Sequence, residues 1–238
     1  MAKLFEELDS RDTPIGEISL RRRVIPALGA TPIYEVKLGE EFLMSSLFVA
    51  AEEALAEQGL AACNGDALDV VVGGLGLGHT AVAALQDARV QRVKVVELLA
   101  PVIDWHQRHW VPLGKTLSDD PRCEFINGSF FELAVSDFDS QEPGHQYDAI
   151  LLDIDHSPRA FLHTGNAGFY VPDNLVAMAR QLKPGGVFAM WSQDLPEPEF
   201  VALLEQVFPS VSTEIVYFDN PFRQARESNC LYIARTHG

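Results

Sequence analysis

The apolar positions of this chain change period along its length, and the changes mark its elements. Val70, Val71 and Val72 form a short β-branched run, as a central parallel strand needs when both its faces are covered. Residues 93–98 (VKVVEL), 122–127 (RCEFIN), 147–153 (YDAILLD) and 187–192 (VFAMWS) are further strands by the same criterion. Between them the period lengthens. Leu47, Ala50, Ala51, Ala54 and Leu55 recur at helical spacing as far as Gly59, with Ser45 or Ser46 placed to cap the helix. Helices are also predicted over 79–88, from Pro101 through Trp110, and from Pro172 to a stop at Lys183-Pro184-Gly185-Gly186. Residues 197–208 read as a last helix, followed by a closing antiparallel pair at 212–218 and 230–235.

Strands alternating with helices predict an α/β fold with a mostly parallel sheet. The first 45 residues differ. Residues 16–24 and 32–37 read as two short strands around a turn at Pro26 and Gly29, so a small antiparallel β-unit is expected over 1–45 and the main domain over 46–238. The Arg21-Arg22-Arg23 run is read as a solvated strand face. The polar stretch 132–146 is read as a surface connection.

The valine strand runs into Gly73, Gly74, Gly76 and Gly78, which let the backbone turn tightly and approach a ligand with no Cβ in the way. The helix that follows would point its free N–H groups at that ligand. Glu97 closes the next strand, 19 residues beyond Gly78 and just before Leu98, where a carboxylate can accept hydrogen bonds from a ribose diol. This combination specifies a site for an adenosine-containing cofactor. A dinucleotide fingerprint starting at Gly74 would need Gly or Ala where His79 stands, so the spacing is G-x-G-x-G instead.

Composition narrows the partners. A net charge of −16 repels phosphate backbones and argues against nucleic acid, while favouring a neutral or cationic small substrate. No apolar run approaches 18 residues, so no membrane span is expected, and the acidic first residues do not form a signal peptide. Cys63, Cys123 and Cys230 lack metal spacing, which suits a reducing cytoplasm, and no metal site is read.

Asp153 ends its strand, and in open α/β sheets ligands sit outside the carboxyl ends of the strands. It is therefore expected in one crevice with the glycine turn and Glu97. The long loop after it, 154–169, carries Asp155, His156, Arg159 and His163 and has the length of a lid. Trp105, His106 and His109 are read as packing and surface groups of their helix.

The order VVVGGLGLG, VVELL, FINGSFF, YDAILLDIDHSP, FY and LKPGGVFAMWS resembles the spermidine synthase (polyamine aminopropyltransferase) family, over about residues 39–234. The resemblance implies a methyltransferase-type (Rossmann-like) sheet flanked by helices, with a small N-terminal β-unit and a homodimer. It implies decarboxylated S-adenosylmethionine as the cofactor and an amine as acceptor. By the same resemblance Gly74, Gly76, Gly78, Glu97, Leu98, Gly128, Ser129 and Asp153 are the cofactor-binding residues. Asp153 matches the catalytic aspartate of the family's D-x-x-D-P loop, with Asp155 or His156 assisting. The chain departs from the pattern elsewhere. Met44 and Ser45 replace a Tyr-Gln pair, Gly76 replaces the glycine-loop aspartate, Ser129 replaces the aspartate after Gly128, and His156 stands where the loop's second acid would fall.

Gly76 removes a carboxylate that would repel ordinary S-adenosylmethionine, and it leaves backbone N–H groups able to accept one. The expectation drawn from it is methyl transfer from S-adenosylmethionine to a small molecule. Aminopropyl transfer from the decarboxylated form, and nucleoside binding without catalysis, stay open beside it.

Overall fold

A computed structural model describes residues 4–29 and 31–238 of the protein. Four strands, β1 (Phe5–Thr13), β2 (Gly16–Arg23), β3 (Ile33–Leu38) and β4 (Glu41–Ser45), form an antiparallel sheet in sequence order. The apolar pattern shows β2 and β3 but not the outer two. β1 is built largely of charge, and its acids face the arginine run: Glu7 pairs with Arg21 at 3.1 Å and Glu6 with Arg22 at 2.6 Å, while Glu35 of β3 pairs with Arg23. The arginines are thus a strand face matched by carboxylates on its neighbours.

The second sheet has seven strands in the order β10-β11-β9-β8-β5-β6-β7. Its parallel part comprises β5 (Leu68–Gly73), β6 (Val90–Glu97), β7 (Cys123–Asn127), β8 (Tyr147–Leu152) and β9 (Leu182–Ser192). β10 (Ser210–Asn220) and β11 (Ala225–Arg235) close it as an antiparallel hairpin against β9. Successive valines of β5 divide between two cores, as a strand covered on both faces requires. Val70 and Val72 pack with α1 (Ala50–Ala61), α2 (His79–Gln86), α3 (Ala100–Gln107) and α4 (Gly114–Asp119). Val71 packs with α5 (Phe130–Val135), α6 (Pro172–Ala179) and α7 (Pro198–Leu204). Ile18, Leu20, Val36 and Leu38 of the small sheet join the first core, so that sheet sits over the face that carries α1–α3.

Several boundaries differ from the sequence reading. α1 starts at Ala50 without a side-chain cap, because Ser45 still belongs to β4 and the Ser46 hydroxyl accepts the N–H of Tyr34. α4 was not predicted. The stretch 132–146 is not wholly a surface connection: α5 occupies its start, and Asp139 is buried in an ion pair with Lys94 of β6. Lys183–Gly186 lie inside β9, where a register irregularity against β8 takes up the turn-like sequence. Cys63, Cys123 and Cys230 are free, and burial pushes each thiol up to about 12. Among the described residues no helix is long and apolar enough to cross a membrane.

Candidate active site

The parallel strands end along one edge of the sheet in a fixed order. From β7 to β9 that edge presents Ser129, Glu97, the glycine turn, Asp153 and Trp191. A cavity of about 590 Å³ lies over it and is roofed partly by the small sheet. Gly74, Gly76, Gly78, Glu97, Leu98, Ser129, Asp153 and His156 line this cavity. Gly128 does not; its N–H donates to the Glu97 carbonyl at 3.0 Å and so places Ser129.

Two glycines are demanded by the turn. Gly74 has φ +93°, and a Cβ there would run into the backbone carbonyl of Asp153. Gly76 has φ +48°, and its Cβ would stand 2.5 Å from the sulfur of Met44. The turn is held from below by His106, which is wholly buried with Nε2 3.0 Å from the Gly76 carbonyl. Burial pushes His106 down to about 4, so the ring is neutral and Nε2–H donates. The structural role of this histidine is thus more specific than packing.

Glu97 accepts the N–H of Leu99 at 2.8 Å on one oxygen and that of Leu75 at 3.0 Å on the other. Burial raises its pKa, and the nearby N–H groups of Gly76 and Leu98 offset this only in part. The bonds from Leu99 and Leu75 occupy one lone pair of each oxygen and leave one on each for a diol. Asn127 steadies the segment by donating to the carbonyls of Glu97 and Leu98. Ser129 is engaged in capping α5, its hydroxyl accepting the N–H of Glu132.

Asp153 accepts the Thr80 hydroxyl at 2.7 Å. Burial raises its pKa, and the Thr80 bond only partly offsets that. Glu52, from the first turn of α1, lines the same cavity. Burial and then the charge of Asp153 raise Glu52 in turn. No lysine or arginine is among the described residues that line the cavity, so this carboxylate pair has no permanently charged cation of the protein's own in the lining. Nothing in the sequence distinguished Glu52 from Glu53, since acids are ordinary in a first helical turn.

Asp155 is not brought into the site. Its buried carboxylate accepts Leu162 N–H at 2.8 Å, Asn166 Nδ2 at 2.7 Å and the Tyr170 hydroxyl at 2.8 Å, and it does not line the cavity. It organises the loop in which it lies; an assisting catalytic role is not supported by this placement. His156 faces the cavity but bonds through Nε2 to Glu41 of β4 at 2.9 Å, joining the loop to the small sheet.

No protein-family model matches the chain. Solved structures do. A spermidine synthase from Thermotoga maritima aligns over 96% of this chain and 72% of its own, with a TM-score of 0.72 and 18% identity. A spermidine synthase in complex with the transition-state analogue AdoDATO aligns over 96% and 73%, with a TM-score of 0.73 and 19% identity. A probable spermidine synthase from Corynebacterium glutamicum aligns over 95% and 79%, at 0.65 and 19%. The chain has the spermidine synthase fold. That fold includes both the seven-stranded, mostly parallel sheet and the four-stranded antiparallel sheet before it. At this level of identity the likeness is one of architecture, and the chemistry rests on the cavity.

Proposed function

We propose that this protein transfers an aminopropyl group from decarboxylated S-adenosylmethionine to a small amine. The observation that carries the reading is the carboxylate pair Glu52 and Asp153, facing a cavity whose described lining has no lysine or arginine. Two buried carboxylates are relieved by a cation between them. Decarboxylated S-adenosylmethionine brings an ammonium and no carboxylate, whereas the full cofactor would bring its carboxylate into an acidic cavity. The named neighbour bound to a transition-state analogue supports the same reading at the level of the fold.

This reverses the preference drawn from Gly76. The space beside that glycine is filled by Met44, its N–H faces Glu97, and Glu52 returns a carboxylate to the cavity from α1. The argument for methyl transfer loses its support with them.

In this reading the glycine turn admits the nucleoside, and Glu97 accepts its ribose hydroxyls. When bound, the donor supplies a propyl carbon activated by sulfonium. Glu52 faces the donor's own ammonium, while Asp153 draws the acceptor in as an ammonium and takes one of its protons, so that the nitrogen gains a free pair. The C–N bond forms as the C–S bond breaks, and sulfur keeps that bonding pair as a neutral thioether. The new secondary amine retains its two protons as an ammonium. Most of the rate then comes from holding nitrogen and carbon in line.

The test is calorimetry with decarboxylated S-adenosylmethionine, S-adenosylmethionine and methylthioadenosine, followed by mass spectrometry of products with amines. Decarboxylated cofactor is expected to bind about tenfold or more tightly than the full one, since like charges at ~4 Å cost roughly 1–4 kcal/mol. Methylthioadenosine should be released. Tighter binding of S-adenosylmethionine with formation of S-adenosylhomocysteine would establish methyl transfer instead.

A further inference from the structure

Asp153 is clamped to the glycine turn through both its main chain and its side chain. Its N–H donates to the Gly73 carbonyl at 2.8 Å, and its own carbonyl fills the space where a Cβ on Gly74 would stand. Its carboxylate accepts the Thr80 hydroxyl through Oδ2 at 2.7 Å. Thr80 is the second residue of α2, the helix that the turn opens, and it is buried. Among the described residues no other group donates to this carboxylate, so Oδ1 has no protein partner.

That bond has two consequences. A carboxyl group turns about its Cβ–Cγ axis in a broad, roughly two-fold well. A buried hydroxyl fixed on a helix singles out one oxygen and leaves the other for a ligand. The bond also ties the end of β8, which carries the base, to the turn and helix that hold the donor in the aminopropyl reading. In-line transfer needs the nitrogen and the propyl carbon placed relative to each other, so these two supports have to move as one.

Resting on the aminopropyl reading of this cavity, we propose that Thr80 is a positioning residue for the transfer. Its hydroxyl fixes Oδ1 of Asp153 as the oxygen that takes the acceptor's proton, and it couples that oxygen to the donor's turn. One proton moves from the acceptor ammonium to Oδ1 and leaves an electron pair on nitrogen. That pair forms the C–N bond, while sulfur keeps the pair of the broken C–S bond. The hydroxyl also favours the ionised carboxylate from which the step starts, against the burial that favours the protonated one.

Thr80→Val replaces the hydroxyl by a methyl of similar size, and Thr80→Ser keeps it. The pH profile of kcat/KM is measured for transfer from decarboxylated S-adenosylmethionine to 1,4-diaminobutane. In Thr80→Val the acidic limb is expected about one pH unit above that of wild type, with kcat on the plateau about tenfold lower. Methylthioadenosine binding, by calorimetry, should stay within about twofold of wild type. Thr80→Ser should restore the limb. A Thr80→Val limb at the wild-type position overturns the proposal, and so does an equal displacement in Thr80→Ser. A loss of methylthioadenosine binding as large as the fall in rate also overturns it, because Thr80 would then serve the turn alone. Should Thr80→Val not fold, Thr80→Ala takes its place with the same expectations. Wild type without turnover would fault the aminopropyl reading. The carboxyl 13C signal of Asp153, assigned by its loss in Asp153→Asn, separates that failure from failure of the proposal. It must titrate about one pH unit higher in Thr80→Val than in wild type, and an unmoved titration overturns the role of Thr80.

Discussion

Met44 and Gly76 share one volume: the sulfur and terminal methyl of the methionine lie 2.5 Å from where a Cβ on the glycine would stand. The backbone angle there, φ +48°, adds a second obstacle to any side chain. Gly76→Ala is therefore expected to lower stability by about 1–3 kcal/mol. In a Met44→Ala background the cost should shrink by at least about 0.5 kcal/mol, because only the angle remains. Urea unfolding of the four proteins measures the coupling. Equal costs in both backgrounds would show that Met44 does not hold that space.

The pair Glu52 and Asp153 makes stability depend on pH with a definite sign. Burial holds both carboxyls above their ordinary values, so the folded state retains protons that the unfolded chain releases. The stabilisation is present below about pH 4 and is lost as pH rises through the raised values toward neutrality. Glu52→Gln should flatten this decline and give a higher Tm than wild type at pH 8, while abolishing transfer. Parallel pH profiles for the two proteins would show that the carboxylates are not coupled.

His106 acts in the opposite direction. Its folded value of about 4 lies below the ordinary 6.5, so the unfolded state binds a proton that the folded state refuses. Its contribution is complete above about pH 6.5 and is lost as pH falls toward 4, by about 3 kcal/mol at most. His106→Gln should be less stable than wild type at pH 7.5, since a bond to Gly76 and ring packing are disturbed. The gap should narrow at pH 5. A gap independent of pH would exclude a neutral buried ring.

Asp155 holds the loop that follows Asp153. Asp155→Ala removes the acceptor from Leu162 N–H, Asn166 and Tyr170 together. Proteolysis within 154–169 should quicken by roughly tenfold or more, and KM should rise more than kcat falls. Cofactor should slow the cleavage if the loop closes over it. A collapse of kcat at unchanged KM and unchanged proteolysis would instead give Asp155 a direct part in the chemistry.

Much of this protein was legible in the chain because the chemistry was local. Val70, Val71 and Val72 declare a strand buried on both faces, and the glycines after it declare a turn that no side chain could make. Glu97 follows at the spacing that one strand–helix–strand unit imposes, so the proposed nucleoside side needed no tertiary information. The charged β1 was invisible because its partners, Arg21 and Arg22, belong to another strand. Asp155 was expected to assist Asp153, and its bonds to Leu162, Asn166 and Tyr170 were not legible because sequence shows a carboxylate but not where its oxygens turn. Glu52 looked ordinary for the converse reason. It reaches Asp153 only because α1 packs over the sheet, and Met44 reaches Gly76 only because the small sheet roofs the cavity. Charge repulsion and excluded volume act through space, over a few ångströms, between residues 101 and 32 positions apart in the chain. The fold and the meeting of the glycine turn with Glu97 therefore follow from neighbours along the chain. Which carboxylates share the cavity was decided by neighbours across it.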